Sequence, residues 1–512
     1  MLNLEKADLL RTESSSLCDR EDRAFIGQFL TPAPIAAFMA SLFDDYSKDV
    51  RLLDPGCGVG SLFSASVDEL IYRKKRIKSL SLTTYEVDNS LFKYLNQTVE
   101  SCKETLGEKS ISFVHQNLHQ DFILSDRSEL VSNKKYTHII MNPPYKKINT
   151  DSDHRRALKD SINLETTNLY TGFLGLAIEM LEEDGELVAI VPRSFCNGTY
   201  YLPFRKFLLE RVAIKKIHLF ESRKVFKDDD VLQENIIIHC KKEKLRNDII
   251  ITASPSADFY RDKKSKKYTA SNLTQHIVKY SDVVKDSDGQ KFIHIPTKNT
   301  GKSVIDSISH FPSTLDDLEV QVSTGPIVDF RLRDCLSQSY EKDFTVPLLY
   351  CCNLKGLVEW PKNTNKPNAI RISEDSQRWL WPNNGYYLLV KRFSSKEEKK
   401  RIVATFYNSF LPEKFIGFEN KLNVFHFKKS GIENENLVKG LYIYLNSSLL
   451  DRYYRNFSGH TQVNATDLRS LKYPPKESLV NIGKRVKDFS INQEEIDGIL
   501  DEEIGSTATA FS

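Results

Sequence analysis

Between Val50 and about Cys240 the chain alternates short β-rich runs with helical patterns, which is how a mostly parallel sheet covered by helices is written. The clearest runs are VRLLD (Val50 to Asp54), LTTYE (Leu82 to Glu86), ISFV (Ile111 to Val114), THIIM (Thr137 to Met141) and LVAIV (Leu187 to Val191). IKKIHLF and NIIIHC supply two more. Leu169, Phe173, Leu176, Ala177, Met180 and Leu181 recur at helical spacing and predict a helix that lays one apolar stripe on the sheet and stops at Asp184-Gly185. The expected class is α/β.

Two strand ends carry chemistry. In LLDPGCGVGSL, Asp54 closes a strand, Pro55 follows, and Gly56, Gly58 and Gly60 let the backbone turn tightly and approach a ligand. An ordinary βα turn can look the same, so the next strand matters. It ends at Glu86, followed by Val87, where a carboxylate can accept both hydrogen bonds of a ribose diol. The pair fits either a nicotinamide dinucleotide or S-adenosylmethionine. The spelling DPGCGVG, in place of GxGxxG, resembles the first motif of class I methyltransferases.

The second strand end is THIIM, followed directly by Asn142-Pro143-Pro144-Tyr145. Ligands bind at the carboxyl edge of an open α/β sheet, so location and chemistry agree. The amino group of adenine is a poor nucleophile because its lone pair is delocalised into the ring. The Asn142 side-chain oxygen and the Pro143 carbonyl can accept its two hydrogens and draw the nitrogen toward tetrahedral geometry. Two prolines with locked φ angles fix that carbonyl. Tyr145 offers a ring face, and base-aromatic stacking contributes about 1–3 kcal/mol. A duplex hides the amino group, so the base must be flipped out at a cost of a few kcal/mol, part of which Tyr145 would offset.

With this tetrapeptide the chain resembles the N6-adenine DNA methyltransferases of the gamma motif order, close to the PstI-type and AccI-type modification methylases of type II restriction-modification systems. GQFLTP (Gly27 to Pro32) precedes the glycine motif, the tetrapeptide follows it, and a long variable region comes last. The resemblance implies a class I S-adenosylmethionine-dependent (Rossmann-like) catalytic domain over 1–245, a C-terminal α+β target recognition domain over 246–475, and a helical segment and tail over 476–512. It places Gln28, Phe29, Thr31 and Pro32 over the methionine end of the cofactor. Asp121 and Phe122 of HQDF would bind the cofactor's adenine, and Phe226 would cover the second face of the flipped base. In the second half it covers VSTGPIVDFR, KRFSSKEEKKRI, IGFENKLNVF and YLNSSLLDRYYRNFSGHTQVNATDLRSLKYP. There Lys391, Arg392, Arg452, Arg455, His460 and Gln462 stand in polar, aromatic-rich stretches suited to phosphate and base-edge contacts.

Composition bounds the remaining choices. At 512 residues, with 40% hydrophobic and 28% charged residues, the chain can bury more than one core, and two or three domains are expected. A formal net charge of +3 leaves any polyanion to be met by a local basic surface. The eight cysteines form no CxxC pair, so neither structural zinc nor a disulfide framework is expected, and no catalytic metal is needed. The N-terminus MLNLEKADLLR lacks the apolar core of a signal peptide, and a cytoplasmic monomer is expected, away from membranes. Glutamine methyltransferases share the glycine motif and tetrapeptide but leave the second half unexplained. N4-cytosine methylation and a catalytically silent DNA-recognition subunit remain alternatives. C5-cytosine methylation is excluded for want of a Pro-Cys dipeptide. No nuclease module precedes Gly27, so cleavage by this chain is not expected; the resemblance implies double-stranded DNA and a separately encoded restriction endonuclease as partners.

Overall fold

The computed structural model describes residues 2–17, 30–73, 77–125, 135–221, 234–296, 304, 307–308, 310–394, 398–457 and 462–508. The chain forms two compact units, Met1–Thr297 and Lys298–Ser512. No helix among the described residues is long and apolar enough to cross a membrane.

The first unit is built on a nine-stranded sheet: β1 (Asp49–Pro55), β2 (Ser79–Tyr85), β3 (Ser112–Leu118), β4 (Tyr136–Met141), β5 (Leu181–Pro192), β6 (Ala213–Phe220), β7 (Asn235–Lys241), β8 (Ile249–Ser254) and β9 (Thr274–Val278). Their order across the sheet is β9-β8-β6-β7-β5-β4-β1-β2-β3. Strands β1 to β5 are mutually parallel, and β7 runs antiparallel between β5 and β6. All seven runs expected to be strands are therefore strands.

Helices cover both faces, which is why the central strands read as continuous apolar runs rather than as alternations. Leu53, Ile139, Met141, Leu187, Ala189 and Val191 face a core shared with α5 (Asp153–Ile162), α6 (Leu169–Met180) and α7 (Leu202–Arg211). Their neighbours Leu52, Ile140, Val188 and Ile190 face a second core, shared with α2 (Ala33–Ser41), α3 (Ser61–Tyr72) and α4 (Phe92–Glu108). Helix α1 (Asn3–Leu17) docks through Leu4 on this second core. The chain leaves β1 toward β2 on one side and β4 toward β5 on the other, so a crevice opens at the carboxyl ends of β1 and β4.

Two boundaries differ from expectation. Helix α6 ends at Met180 rather than at Asp184-Gly185. Leu181 already pairs with Tyr136, and the register shift before the His138–Glu186 pair is absorbed where Asp184 adopts φ +63°. The Lys242 Nζ caps the helix end by donating to the carbonyls of Ile178 and Leu181. The first unit also extends to 297 rather than stopping at 245, because β8 pairs with β6 and β9 with β8. Val283, Val284, Ile293 and Ile295 complete its first core. The polar stretch from Lys241 to Asp288 is part of that unit.

The second unit is α+β. A six-stranded sheet contains β10 (Gln321–Thr324), β12 (Tyr387–Lys391), β13 (Ala404–Tyr407) and β15 (Leu422–His426) in the order β10-β15-β12-β13, continued by two short strands. A five-stranded sheet is centred on β11 (Thr345–Leu349) and β14 (Phe415–Phe418). Alternate residues of β12 and β15 serve two cores: Leu388, Val390 and Phe425 one, Tyr387, Leu389, Leu422 and Val424 the other.

Its longer helices among the described residues are α8 (Glu435–Leu445), α9 (Ser448–Phe457), α10 (Ala465–Ser470), α11 (Lys476–Arg485) and α12 (Gln493–Ala508). The expected separate segment 476–512 is instead part of this unit, since Leu479, Ile482, Ile496 and Leu500 are buried in its core. Helices α8 and α11 cross with backbones in contact. A Cβ at Gly440 would overlap the Leu479 carbonyl oxygen, and one at Gly483 the Asn436 carbonyl oxygen.

That crossing sets two effects against each other at Gly483. Alanine gains about 1 kcal/mol of helix propensity, but the overlap is with rigid backbone and forces the helices apart, an overpacking cost of about 3 kcal/mol. Gly483→Ala is expected to lower the melting temperature by several degrees. An unchanged or raised melting temperature would show that the helices have room.

Candidate active site

The loop after β1 exists because glycine tolerates what other residues resist. Gly56, Gly58 and Gly60 sit at φ +75°, +57° and +92°. The N–H groups of Gly56 and Cys57 both donate to the Tyr85 carbonyl, at 2.8 and 3.0 Å, which hooks the loop onto the end of β2. Glu86 completes the hook. Its Oε2 accepts from the Gly58 N–H at 2.8 Å, and its Oε1 from the N–H groups of Val87 and Asp88 at 2.8 and 2.9 Å. Burial still pushes the Glu86 carboxyl above the usual range, against the pull of those donors.

Asp54 plays a different part from Glu86. It is fully buried at the end of β1, and its Oδ2 accepts from the Phe63 N–H in the first turn of α3 at 3.2 Å. Its Oδ1 has no hydrogen-bond partner among the described residues. Burial, reinforced by the negative charge of Glu86, raises the Asp54 carboxyl well above its ordinary value. The residue braces the loop from behind.

In front of the loop lies a cavity of about 350 Å³. Of the residues expected to bind cofactor or target, Thr31, Gly56, Gly58, Glu86, Val87, Asp121, Phe122, Asn142 and Pro144 line it. Asp54, Pro55, Gly60, Pro143, Tyr145 and Pro32 are not on the wall; Pro32 instead starts α2, its carbonyl accepting from the Ala36 N–H at 3.0 Å. Gln28, Phe29, Phe226 and His460 lie outside the described residues.

Asn142 follows β4 directly, and its side chain is held at both ends. Its Nδ2 donates to the Thr31 Oγ1 at 3.1 Å, and the Tyr145 hydroxyl donates to its Oδ1 at 3.0 Å. The same hydroxyl is 3.2 Å from the Ile190 carbonyl oxygen. The Tyr145 ring is half-buried, packed against both cores of the unit and edge-on to Tyr170 with centroids 6.3 Å apart. In this structure Tyr145 therefore braces Asn142 from inside the protein.

At the other end of the cavity, Phe122 is packed between Tyr85 and Phe173, with ring centroids 5.0 and 5.1 Å away. The Asp121 Oδ1 accepts from the N–H groups of Ile123 and Leu124, at 2.8 and 3.0 Å. His154 Nε2 lies 2.9 Å from Asp121 Oδ2. Burial acts to raise the Asp121 carboxyl, but the hydrogen bond and charge of His154, with the two backbone donors, outweigh it and leave the group below its usual range.

Sequence reasoning missed part of this wall. Lys146, Lys147, Asn149, Ser152 and His154 all line the cavity, and all lie within nine residues of Tyr145. That adjacency was the only available signal, because KKINTDSDH has no periodicity. Phe173 was read as core, and it is core on one side and cavity wall on the other.

In the second unit, Val463 N–H donates to the Arg392 carbonyl at 2.7 Å and Gln462 bridges to Phe393, so Lys391, Arg392 and Gln462 are neighbours. The Arg392 Nη1 donates to the Asn420 carbonyl at 3.0 Å. On α9, Arg452 is exposed, whereas Arg455 holds Asp451 at 2.6 Å and the Glu398 carbonyl at 2.8 Å.

Among the described residues, Asp44, Glu186 and His239 bring ligand-type atoms within 4.8 Å of one another. Their facing atoms already have partners: His239 Nε2 meets Glu186 Oε2 at 2.8 Å, and Lys216 Nζ meets Asp44 Oδ1 at 2.6 Å.

A family model described as "Eco57I restriction-modification methylase" matches residues 61–226. Over 98% of its length the chain is 42% identical to 97% of the type II methyltransferase M.BsuBI of Bacillus subtilis. Over 97% of its length it is 38% identical to 96% of the type II methyltransferase M.PstI of Providencia stuartii. Among solved structures, one described as a DrdV–DNA complex shares its fold, with a TM-score of 0.50 and 13% identity over 90% of this chain and 57% of that one.

The buried Asp54 makes a pH-dependent prediction. Because its folded-state value is raised, the folded chain keeps this proton to higher pH than the unfolded chain does. Its contribution to stability is fully present below the unfolded value, about pH 4, and is lost as pH rises through the folded value. Asp54→Asn removes the titration, so its melting temperature, measured without cofactor, should improve relative to wild type as pH increases above about 4. A difference that stays flat with pH would contradict the assignment of a raised carboxyl to Asp54.

Proposed function

We infer, from the premise that this chain belongs to the type II methyltransferases of restriction-modification systems, that it methylates the exocyclic N6 of a flipped-out adenine in a specific duplex sequence. The first unit has the class I S-adenosylmethionine-dependent methyltransferase fold, and S-adenosylmethionine is the cofactor. The observation that carries the adenine reading is Asn142, held at the carboxyl end of β4 on the wall of the cavity that the glycine loop also lines.

The residues of the cavity fit the cofactor. Gly56 and Gly58 leave backbone where a side chain would intrude, Glu86 presents a carboxylate to a ribose, and Asp121 with Phe122 presents an acceptor and an apolar ring to an adenine. When bound, S-adenosylmethionine supplies an electrophilic methyl group on a sulfonium. The rest is positioning by this chain. The Asn142 Oδ1 and the Pro143 carbonyl accept the two hydrogens of the target amine, which localises its lone pair. Thr31 and Tyr145 fix the plane of the Asn142 amide, so little is lost to reorganisation when the amine arrives. Tyr145 and, by the resemblance, Phe226 are proposed to stack on the flipped base. Neither a covalent intermediate nor a metal is required.

The second unit is proposed to recognise the DNA sequence, through the stretch containing Lys391, Arg392 and Gln462 and through Arg452, Arg455 and His460. The chain acts as a cytoplasmic monomer that protects DNA from a separately encoded endonuclease.

Two measurements test this reading. Methylated positions in DNA from cells expressing the chain alone should be N6-methyladenine within one recurring sequence; N4-methylcytosine there would overturn the adenine assignment. Asn142→Ala should lower turnover by at least about 10²-fold while calorimetric cofactor binding persists. Full activity in that variant would remove Asn142 from the chemistry.

A further inference from the structure

Among the described residues, three hydrogen bonds reach the carboxylate of Asp121, a residue of the cavity wall, and leave it one acceptor position. A carboxylate offers about four lone-pair sites, two on each oxygen. The N–H groups of Ile123 and Leu124 occupy both on Oδ1 and fix the plane of the group. On Oδ2, His154 Nε2 occupies one at 2.9 Å. Asp121 and His154 both line the cavity, with side chains about one-third and one-quarter exposed. His154 stands in the first turn of α5, whose N-cap Ser152 accepts from the Arg155 N–H, so its backbone is anchored.

We propose that His154 is a positioning residue for the cofactor: its Nε2–H takes one lone pair of Asp121 Oδ2 and aims the remaining one at the exocyclic amino group of the cofactor's adenine. The inference rests on the reading that Asp121 accepts from that amino group. His154 makes the acceptor directional, in the way a partner behind a ligating side chain fixes the orientation of that ligand. The stretch carrying His154 continues directly from Asn142–Tyr145 and supplies Lys146, Lys147 and Asn149 to the same wall. The same contact thus holds this stretch against the adenine end of the cavity. Loss of His154 weakens cofactor binding and raises the KM for cofactor, while turnover at saturating cofactor is retained, because His154 touches neither the methyl group nor the target amine.

The test uses the full chain and two probes read by calorimetry: S-adenosylhomocysteine, and its analogue with hydrogen in place of the adenine amino group. Wild type should prefer the amino-bearing probe. His154→Ala should bind that probe about tenfold more weakly, as expected for one hydrogen bond to a charged group, and should bind the analogue as wild type does. His154→Gln, which can place an N–H near the Nε2 position, should restore most of the loss. Equal losses for both probes in the alanine variant, or no loss for either, would overturn the proposal. If wild type itself binds the two probes equally, Asp121 does not accept from the amino group, and the underlying reading fails with it. If wild type discriminates and the alanine variant discriminates as strongly, only the role of His154 fails.

Discussion

The buried carboxylate of Glu86 ties the first two strands of the sheet into one binding surface. It accepts from Gly58 on the loop after β1 and from Val87 and Asp88 just beyond β2, while its own N–H donates to the Leu118 carbonyl at the end of β3. Three strand ends are thereby fixed by one residue. Three backbone donors offset much of the cost of removing this charge from water, though not all of it, since the carboxyl remains above its usual range. Asp54, immobilised behind the same loop with one oxygen unpartnered among the described residues, adds to that cost. Two carboxyls placed so close in a buried site destabilise the fold locally. Such a cost is common where a binding surface must be preformed.

The part of the fold that was legible in the sequence is the part dictated by periodicity. Strands buried on both faces appear as unbroken apolar runs, and β4 and β5 could be read directly because Ile139, Ile140, Met141, Val188, Ala189 and Ile190 all face core. Where polar residues take part in structure, the reading stopped short. Strands β8 and β9 were missed because Thr252, Gln275 and His276 interrupt them on an edge of the sheet, and the domain boundary was consequently drawn too early. The α6–β5 junction was misplaced because an Asp-Gly pair normally ends a helix. Here it sits in a strand irregularity, and a distant lysine, Lys242, caps the helix.

The candidate site shows the same division more sharply. A motif names residues that occur together, not the surface each one presents. Gly56, Gly58, Glu86 and Asn142 face the cavity, whereas Asp54, Gly60 and Tyr145 build what stands behind it. Gly60 adopts φ +92° against the Phe63 ring, and Tyr145 reaches Asn142 from inside the core. The first are proposed to contact a ligand, and the second keep the first from moving, with Tyr145 proposed to do both.

Seen in this way, the stretch after the tetrapeptide joins the two ends of the cavity. Asn142 lies at one end, held by Thr31 and Tyr145; His154 lies at the other, on Asp121. Twelve positions in sequence thus connect the amide proposed to grip the target to the carboxylate proposed to grip the cofactor. The intervening backbone is itself restrained, with Ile148 N–H bonded to the Thr167 carbonyl at 2.8 Å and Leu169 N–H to the Lys146 carbonyl at 2.8 Å. These bonds dock the stretch onto the start of α6, whose Phe173 forms cavity wall. The two proposed binding events thus draw on one continuous stretch of the cavity wall.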